Sequence, residues 1–245
     1  MDDFIDPDVA DRARLDFPDP DSSDWIQYKH INEQKLGCSN RDLLRDIHLQ
    51  IIDEFNSSRF LELLSILTGI PELMADETMD GGGLHQIKRG GYLNVHADIT
   101  AHAHHPTWAR RVNVLLYLNK DWKDEYGGDF ELWDKEMNHC VKKLAPLFNR
   151  CIVFSTGKHT FHGHPDPLQC PDDTSRMSIA TYYFTEESKP FTRSTEYRAR
   201  PADGKAKSAM IFTDKLALRC YDFAKRRLGF GDIAASRILK LLSRK

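Results

Sequence analysis

No apolar run in the 245-residue chain approaches the ~20 residues that a membrane-spanning helix requires. The opening residues, MDDFIDPDVAD, carry acid where a secretory signal carries lysine or arginine and then an apolar stretch. A cytoplasmic protein is therefore expected. The chain also lacks any C-x-x-C pair. Its five cysteines (Cys38, Cys140, Cys151, Cys170 and Cys220) are scattered and odd in number, which argues against a disulfide framework or a structural zinc site and suits a reducing compartment. A net charge of -3 provides no overall pull toward nucleic acid, and none is expected as a partner. No internal repeat is present.

What the chain does have is unevenly spread. Residues 1–25 hold nine aspartates against Arg12 and Arg14, and DFPDPDSSDW reads as an extended, proline-broken lead-in. From Arg198 to Lys245 the balance reverses, with thirteen Lys or Arg against four Asp. The simpler reading of these ends is a pair of solvated tails. The sharper one is that residues 233–245, IAASRILKLLSRK, form a basic helix in peripheral contact with an anionic membrane surface.

Between the tails, SNRDLLRDIHLQIIDEF has helical apolar spacing behind Ser39 or Asn40 as N-cap. SSRFLELLSILTGI predicts a second helix, with Ser57 as cap, Gly69 near its end and Pro71 just beyond. After Gly81 come short β-rich runs: LHQIKR, YLNVHAD, RRVNVLLYLN, DFELWD, RCIVFS, TFHGH and RMSIATYYFT. Such a series predicts a β-sandwich or barrel and not βαβ units. The organisation expected is supporting helices within 1–80, a β core over 81–190 and a basic helical extension over 191–245, with a single catalytic domain overall. Gly81-Gly82-Gly83 precedes a strand and no helix, so it is not a phosphate loop. Tyr126-Gly127-Gly128-Asp129 reads as a hairpin turn using positive φ.

The chemistry is concentrated in GGYLNVHAD. Residues two apart on a strand share a face, with Cα atoms roughly 6.5 Å apart. His96 and Asp98 would therefore point an imidazole and a carboxylate into one space. With a second imidazole they would make the facial triad of non-haem Fe(II) oxygenases, which leaves positions open for substrate and dioxygen. Alone, H-x-D is a weak signal. Downstream, TFHGHP offers His162, with His164 as its competitor two residues on. His162 is preferred because Pro165 should distort the chain after His164. Arg176 opens the strand RMSIATYYFT. An arginine on an otherwise apolar strand face is costly unless it meets an anion, and its fork suits a carboxylate. His102, His104 and His105 read as a solvated loop over the site mouth, and His139 and His159 as surface residues. Of Arg110 and Arg111, one should point inward and the other to solvent.

From about Gly83 to Thr185, the stretches RRVNVLLYLNKDW, GGDFELW, NRCIVFSTGKHTFHG and RMSIATYYFT resemble the prolyl 4-hydroxylase-like branch of the Fe(II)/2-oxoglutarate dioxygenases. The resemblance implies a mainly β fold with flanking helices around a double-stranded β-helix, a jelly-roll or cupin-like core. It implies metal ligation by His96, Asp98 and His162. It also implies that Arg176 binds the distal carboxylate of 2-oxoglutarate with Tyr117. Asn113, on the same strand face as Tyr117, would contact the co-substrate or the substrate. Fe(II) and 2-oxoglutarate are the implied cofactors, with ascorbate as an accessory reductant. Because Asp98 is present where related halogenases carry a small residue, hydroxylation is the implied outcome. The substrate would be a prolyl or other amino-acid residue in a peptide, a free amino acid, or a glycan or lipid-linked sugar. The alternative is a non-catalytic cupin-like module that binds metal and a small ligand as a sensor. Oligomeric state is not legible.

Overall fold

The computed structural model describes residues 1–99, 101–190, 194–214 and 216. The expected basic helix over 233–245 lies outside the described residues. In chain order the elements are α1 (Pro7–Leu15), β1 (Ile26–His30), β2 (Glu33–Cys38), α2 (Asp46–Phe55) and α3 (Ser58–Thr68). They continue with β3 (Met74–Ala75), β4 (Gly83–Ile87), β5 (Tyr92–Ile99), β6 (Trp108–Tyr117), β7 (Phe130–Trp133) and β8 (Cys140–Leu144). Last come β9 (Arg150–Ser155), β10 (Phe161–His164), β11 (Arg176–Glu186) and β12 (Ser194–Tyr197). Residues 204–214 are helical. Among the described residues no helix is long and apolar enough to cross a membrane.

Two four-stranded halves make the barrel. One runs β8-β7-β10-β5 and the other β4-β11-β6-β9, with every neighbouring pair antiparallel. Apart from the β7–β8 hairpin, successive strands from β4 to β11 alternate between the halves, which is the double-stranded β-helix expected from the sequence. β2 bridges the two halves, pairing with β4 through Leu36 to Cys38 and with β5 through Glu33 and Gln34.

The helices cover the outer face of the second half. Ser57 accepts the Phe60 N–H at 3.3 Å, and Gly69 at φ 70° ends α3 in the left-handed region, as its sequence predicts. Asn40 caps only a short 3-10 turn, Arg41–Leu43, and α2 starts three residues later. Ile47, Ile51, Ile52 and Phe55 of α2 and Phe60 and Leu64 of α3 pack against Val112, Val114 and Leu116 of β6 and Ile179 and Tyr183 of β11. Each such fully buried side chain contributes about 1.5–3 kcal/mol relative to exposure. Tyr183 donates its hydroxyl to the Phe55 carbonyl at 2.8 Å, tying helix to sheet.

Three features depart from expectation. α1 forms inside the acidic lead-in, because Asp6 caps it and Pro7 occupies its first turn. The hairpin β1–β2 turns through Ile31-Asn32, which lack the Asn-Gly or Asp-Gly signature of a short hairpin. The two glycines Gly127 and Gly128 do have positive φ, but they serve a crossover and not a hairpin, since β6 and β7 belong to different halves.

Candidate metal centre and anion pocket

Both faces of β6 and β11 are buried: the helices take one and the barrel interior takes the other. On the interior side, β5 presents His96 and Asp98, and β10 presents His162 directly opposite His96 in the antiparallel register. β12 pairs with β5 along its other edge, placing Thr195 across from Asp98 and Tyr197 across from His96. The strand that carries H-x-D is thus held on both sides.

His96, Asp98 and His162 form the single group of three metal-capable side chains among the described residues, with ligand atoms within 4.8 Å of one another. The His96 Nε2 lies 3.7 Å from Asp98 Oδ1, and His162 Nε2 lies 3.5 Å from Asp98 Oδ2. Each imidazole is oriented by its other nitrogen: His96 Nδ1 meets the Asn94 carbonyl at 2.9 Å and His162 Nδ1 the Thr160 carbonyl at 3.1 Å. A backbone acceptor on Nδ1 selects the tautomer whose Nε2 lone pair points at the shared space, which is the support a metal-binding histidine needs. The donor set of two imidazoles and one carboxylate fits a divalent transition metal such as Fe(II). Burial and the neighbouring His162 push His96 down to about 4, so it is neutral and ready to ligate near pH 7.

Asp98 is clamped from behind. Asn113 Nδ2 donates to its Oδ2 at 3.2 Å, Arg110 Nη2 lies 3.2 Å from the same oxygen, and Arg110 Nε donates to Asn113 Oδ1 at 2.6 Å. The Arg110 guanidinium also stacks 3.2 Å from the centre of the Tyr182 ring. Burial opposes the Asp98 charge, but Arg110 and the two histidines overcome it and hold the carboxyl well below its usual range. Arg110 therefore points inward, and Arg111 outward to Thr185 and Glu187. The sequence left that choice open.

Deeper along β6, four residues from Asn113 and hence roughly 13 Å away, lies a second polar centre. Arg176 is 5% exposed, and no carboxylate of the described residues lies within ion-pair distance of it. Its Nε donates to the Gly128 carbonyl at 2.9 Å and its Nη2 to the Tyr117 hydroxyl at 3.0 Å. Gly128 is required here, because a Cβ would stand 2.5 Å from Leu168 Cδ2 and 3.1 Å from Arg176 Cδ. Between Arg176 and the histidines, the walls are Leu115, Phe130, Leu132, Ile152 and Phe154. A buried cation without a counter-charge, set beside apolar side chains, is a site for an anion.

His164 falls outside the three-residue group; the register of β10 shifts between it and His162. It is buried, and both its ring nitrogens lack a hydrogen-bond partner. Burial, then the field of Arg176, pushes it well below the usual histidine range. His139 and His159 are exposed, as expected. His102 is not solvated: it is 2% exposed and packed against Trp108 and Phe184, with Nε2 3.1 Å from Asp76 Oδ1. It pins the loop to the β3–β4 connection, while His104 and His105 are exposed.

Sequence reasoning missed the interior charges of β2. Lys35 Nζ lies 3.1 Å from Glu33 Oε2, and the Glu33 carboxylate also meets His30 Nε2 at 2.9 Å. The alternation of Glu33, Lys35 and Gly37 on one face was the available signal, and it reads equally well as a solvated edge.

Comparison with known proteins gives the same picture. Residues 82–184 match the model of the 2OG-Fe(II) oxygenase superfamily. A prolyl-4-hydroxylase from Pseudomonas putida superposes with a TM-score of 0.56 at 14% identity, covering 77% of this chain and 91% of the other. A prolyl hydroxylase from Trichoplax adhaerens, solved with a hypoxia inducible factor oxygen degradation domain peptide fragment, gives 0.52 at 19% identity, covering 75% and 81%. At these identities the two structures speak for the fold.

Proposed function

We propose, from the match of residues 82–184 to the 2OG-Fe(II) oxygenase superfamily, that the chain is an oxygenase of this kind in which His96, Asp98 and His162 hold the Fe(II) and Arg176 anchors 2-oxoglutarate. The observation that carries this reading is the pairing of a three-ligand cluster with a buried guanidinium that has no carboxylate partner among the described residues, with an apolar cluster packed around Tyr117. It is a 2-oxoglutarate-dependent hydroxylase. Fe(II) with 2-oxoglutarate supplies the oxidising chemistry: dioxygen converts the co-substrate to succinate and CO2 and places one oxygen atom into a substrate C–H bond.

The protein's own contribution is positional. Arg110 and Asn113 restrain Asp98 Oδ2, which leaves Oδ1 as the freer oxygen for the metal. The Tyr117 hydroxyl and the Arg176 fork face the distal carboxylate together. His164, buried without a hydrogen-bond partner and within the field of Arg176, supplies a hydrogen bond to the co-substrate. The apolar walls exclude water. Asp98 keeps a carboxylate where halogenation would need an open position, so hydroxylation is the reaction.

The primary substrate is a small molecule or a peptide residue. The reducing compartment is supported by the four cysteines of the described residues, all free; on this ground we assign the protein to the cytoplasm. The test is succinate release from 2-oxoglutarate with Fe(II) and ascorbate, paired with metal binding. A non-catalytic cupin-like module would bind metal and release no succinate.

A further inference from the structure

We infer that the primary substrate carries one oxyanionic group, a carboxylate or a phosphate ester, received inside the barrel by Arg110 and Lys35. The inference rests on the functional reading above. Among the described residues three cations face the interior, Arg176, Arg110 and Lys35, against two carboxylates, Asp98 and Glu33. Behind Glu33, His30 Nδ1 meets Asp214 Oδ2 at 2.8 Å, and that imidazolium and carboxylate balance each other. Fe(II) brings two positive charges and 2-oxoglutarate two negative ones. The loaded interior therefore keeps one positive charge in excess.

The excess falls on the side away from Arg176. Arg110 shares Asp98, through Oδ2, with the metal site; beyond that it has the Asn113 amide and the Tyr182 ring, and no second carboxylate of the described residues is within ion-pair distance. Its side chain is 11% exposed, so water cannot do the work of a counter-ion. Lys35 comes from the opposite wall, with Nζ 5.2 Å from the centre of the Tyr28 ring. The fields of both cations meet at His85, which burial and Lys35 keep neutral, and whose Nε2 is already taken by the Gly81 carbonyl at 3.1 Å. A chain of contacts joins the two cations: Tyr28 beneath Lys35 and His85 both flank Gly37, His85 reaches the Gly81 carbonyl, and Gly81 lies against the Tyr182 ring that Arg110 covers. Asp98, shared with the metal site, and Glu33 are their only ion-pair carboxylates among the described residues. Arg111, the next residue, turns outward to Glu187, so the inward cation is a choice of the fold and not a by-product of a basic stretch. An oxyanion on the substrate supplies the missing charge and orients the C–H bond relative to the metal.

The decisive experiment titrates inorganic sulfate, a weak metal ligand, calorimetrically into the full-length protein holding Ni(II) and 2-oxoglutarate. One saturable site is expected, weakened at least tenfold by Lys35→Met and by Arg110→Gln and unaffected by Arg111→Gln. Lys35→Met touches none of the proposed metal ligands, so it stands even if Arg110→Gln loosens Asp98. Displacement of sulfate by N-acetylglycine or by phenyl phosphate tells a carboxylate from a phosphate ester. Failure of the wild-type protein to take up Ni(II) and 2-oxoglutarate would sink the functional reading itself. Normal loading with no sulfate site, with a site indifferent to both variants, or with equal displacement by neutral N-acetylglycinamide would overturn this inference alone.

Discussion

The two polar centres of the barrel interior, one around Asp98 and one around Arg176, are built on opposite plans. At the first, the carboxylate is surrounded: Arg110, Asn113 and two imidazoles converge on it, and every ring nitrogen that is not aimed at the shared space has a backbone acceptor. At the second, a guanidinium and a histidine are buried, the one without a carboxylate and the other without any partner. The metal ligands of the first centre are oriented before the ion arrives, and its hydrogen bonds go to geometry. The second leaves its bonding capacity open, so that the ligand completes it. Resident metals suit the first plan and exchanging co-substrates the second.

The largest effect that would break this comparison comes from Asp98→Ala or His96→Ala. Removing a ligand should abolish Fe(II)-dependent succinate release, beyond the ~10- to 100-fold loss typical of a merely supporting group. Equilibrium dialysis with Ni(II) reads the same loss without turnover, and retained metal binding would remove these residues from the centre. Next is Arg176→Met. Losing charged hydrogen bonds worth about 1.5–3 kcal/mol each should raise the 2-oxoglutarate Kd by ~100-fold, with Ni(II) affinity unchanged. A matched loss of both would mean that the two centres are not independent.

His164→Val sharpens the comparison at a smaller scale. A neutral hydrogen bond of about 1 kcal/mol predicts a ~5-fold weaker 2-oxoglutarate Kd. Unchanged affinity would make His164 a packing residue only.

The smallest expected effect is on stability. Burial depresses His96 to about 4 and His85 to about 3, and it pushes His164 well below its ordinary value. Each depressed histidine contributes stability that is complete above about pH 6.5, the unfolded value, and lost as pH falls toward the folded one. His30 acts in the opposite sense: burial opposes its charge, but Glu33 and Asp214 raise it, and its contribution is lost as pH rises. With His48, which burial also lowers, the balance is four against one and predicts a metal-free protein with a lower urea midpoint at pH 5 than at pH 7.5. An equal or higher midpoint at pH 5 would show that these histidines are not held neutral.

Much of the site could be read from the linear chain because its information is local. A two-residue strand period places His96 and Asp98 together wherever the strand goes, and Ser57 and Gly69 mark their helix whatever it packs on. Arg176 was legible for a related reason: a charge on an otherwise apolar strand needs an explanation that no neighbour in sequence supplies. Non-local choices were not legible. The pattern RRVN permits either arginine to enter the barrel, and the pairing of β6 with β11, which sets Tyr182 beneath Arg110, decides it. His102 lies among polar loop residues that promise exposure, and only the approach of Asp76 and Phe184 buries it. Lys35 and Glu33 alternate as a solvated edge would, yet β2 bridges the two halves and turns them inward. Periodicity and chemistry assigned the ligands and the kind of fold; the closure of one half-barrel onto the other assigned which charges face each other, because burial is a property of the whole chain and of no single segment.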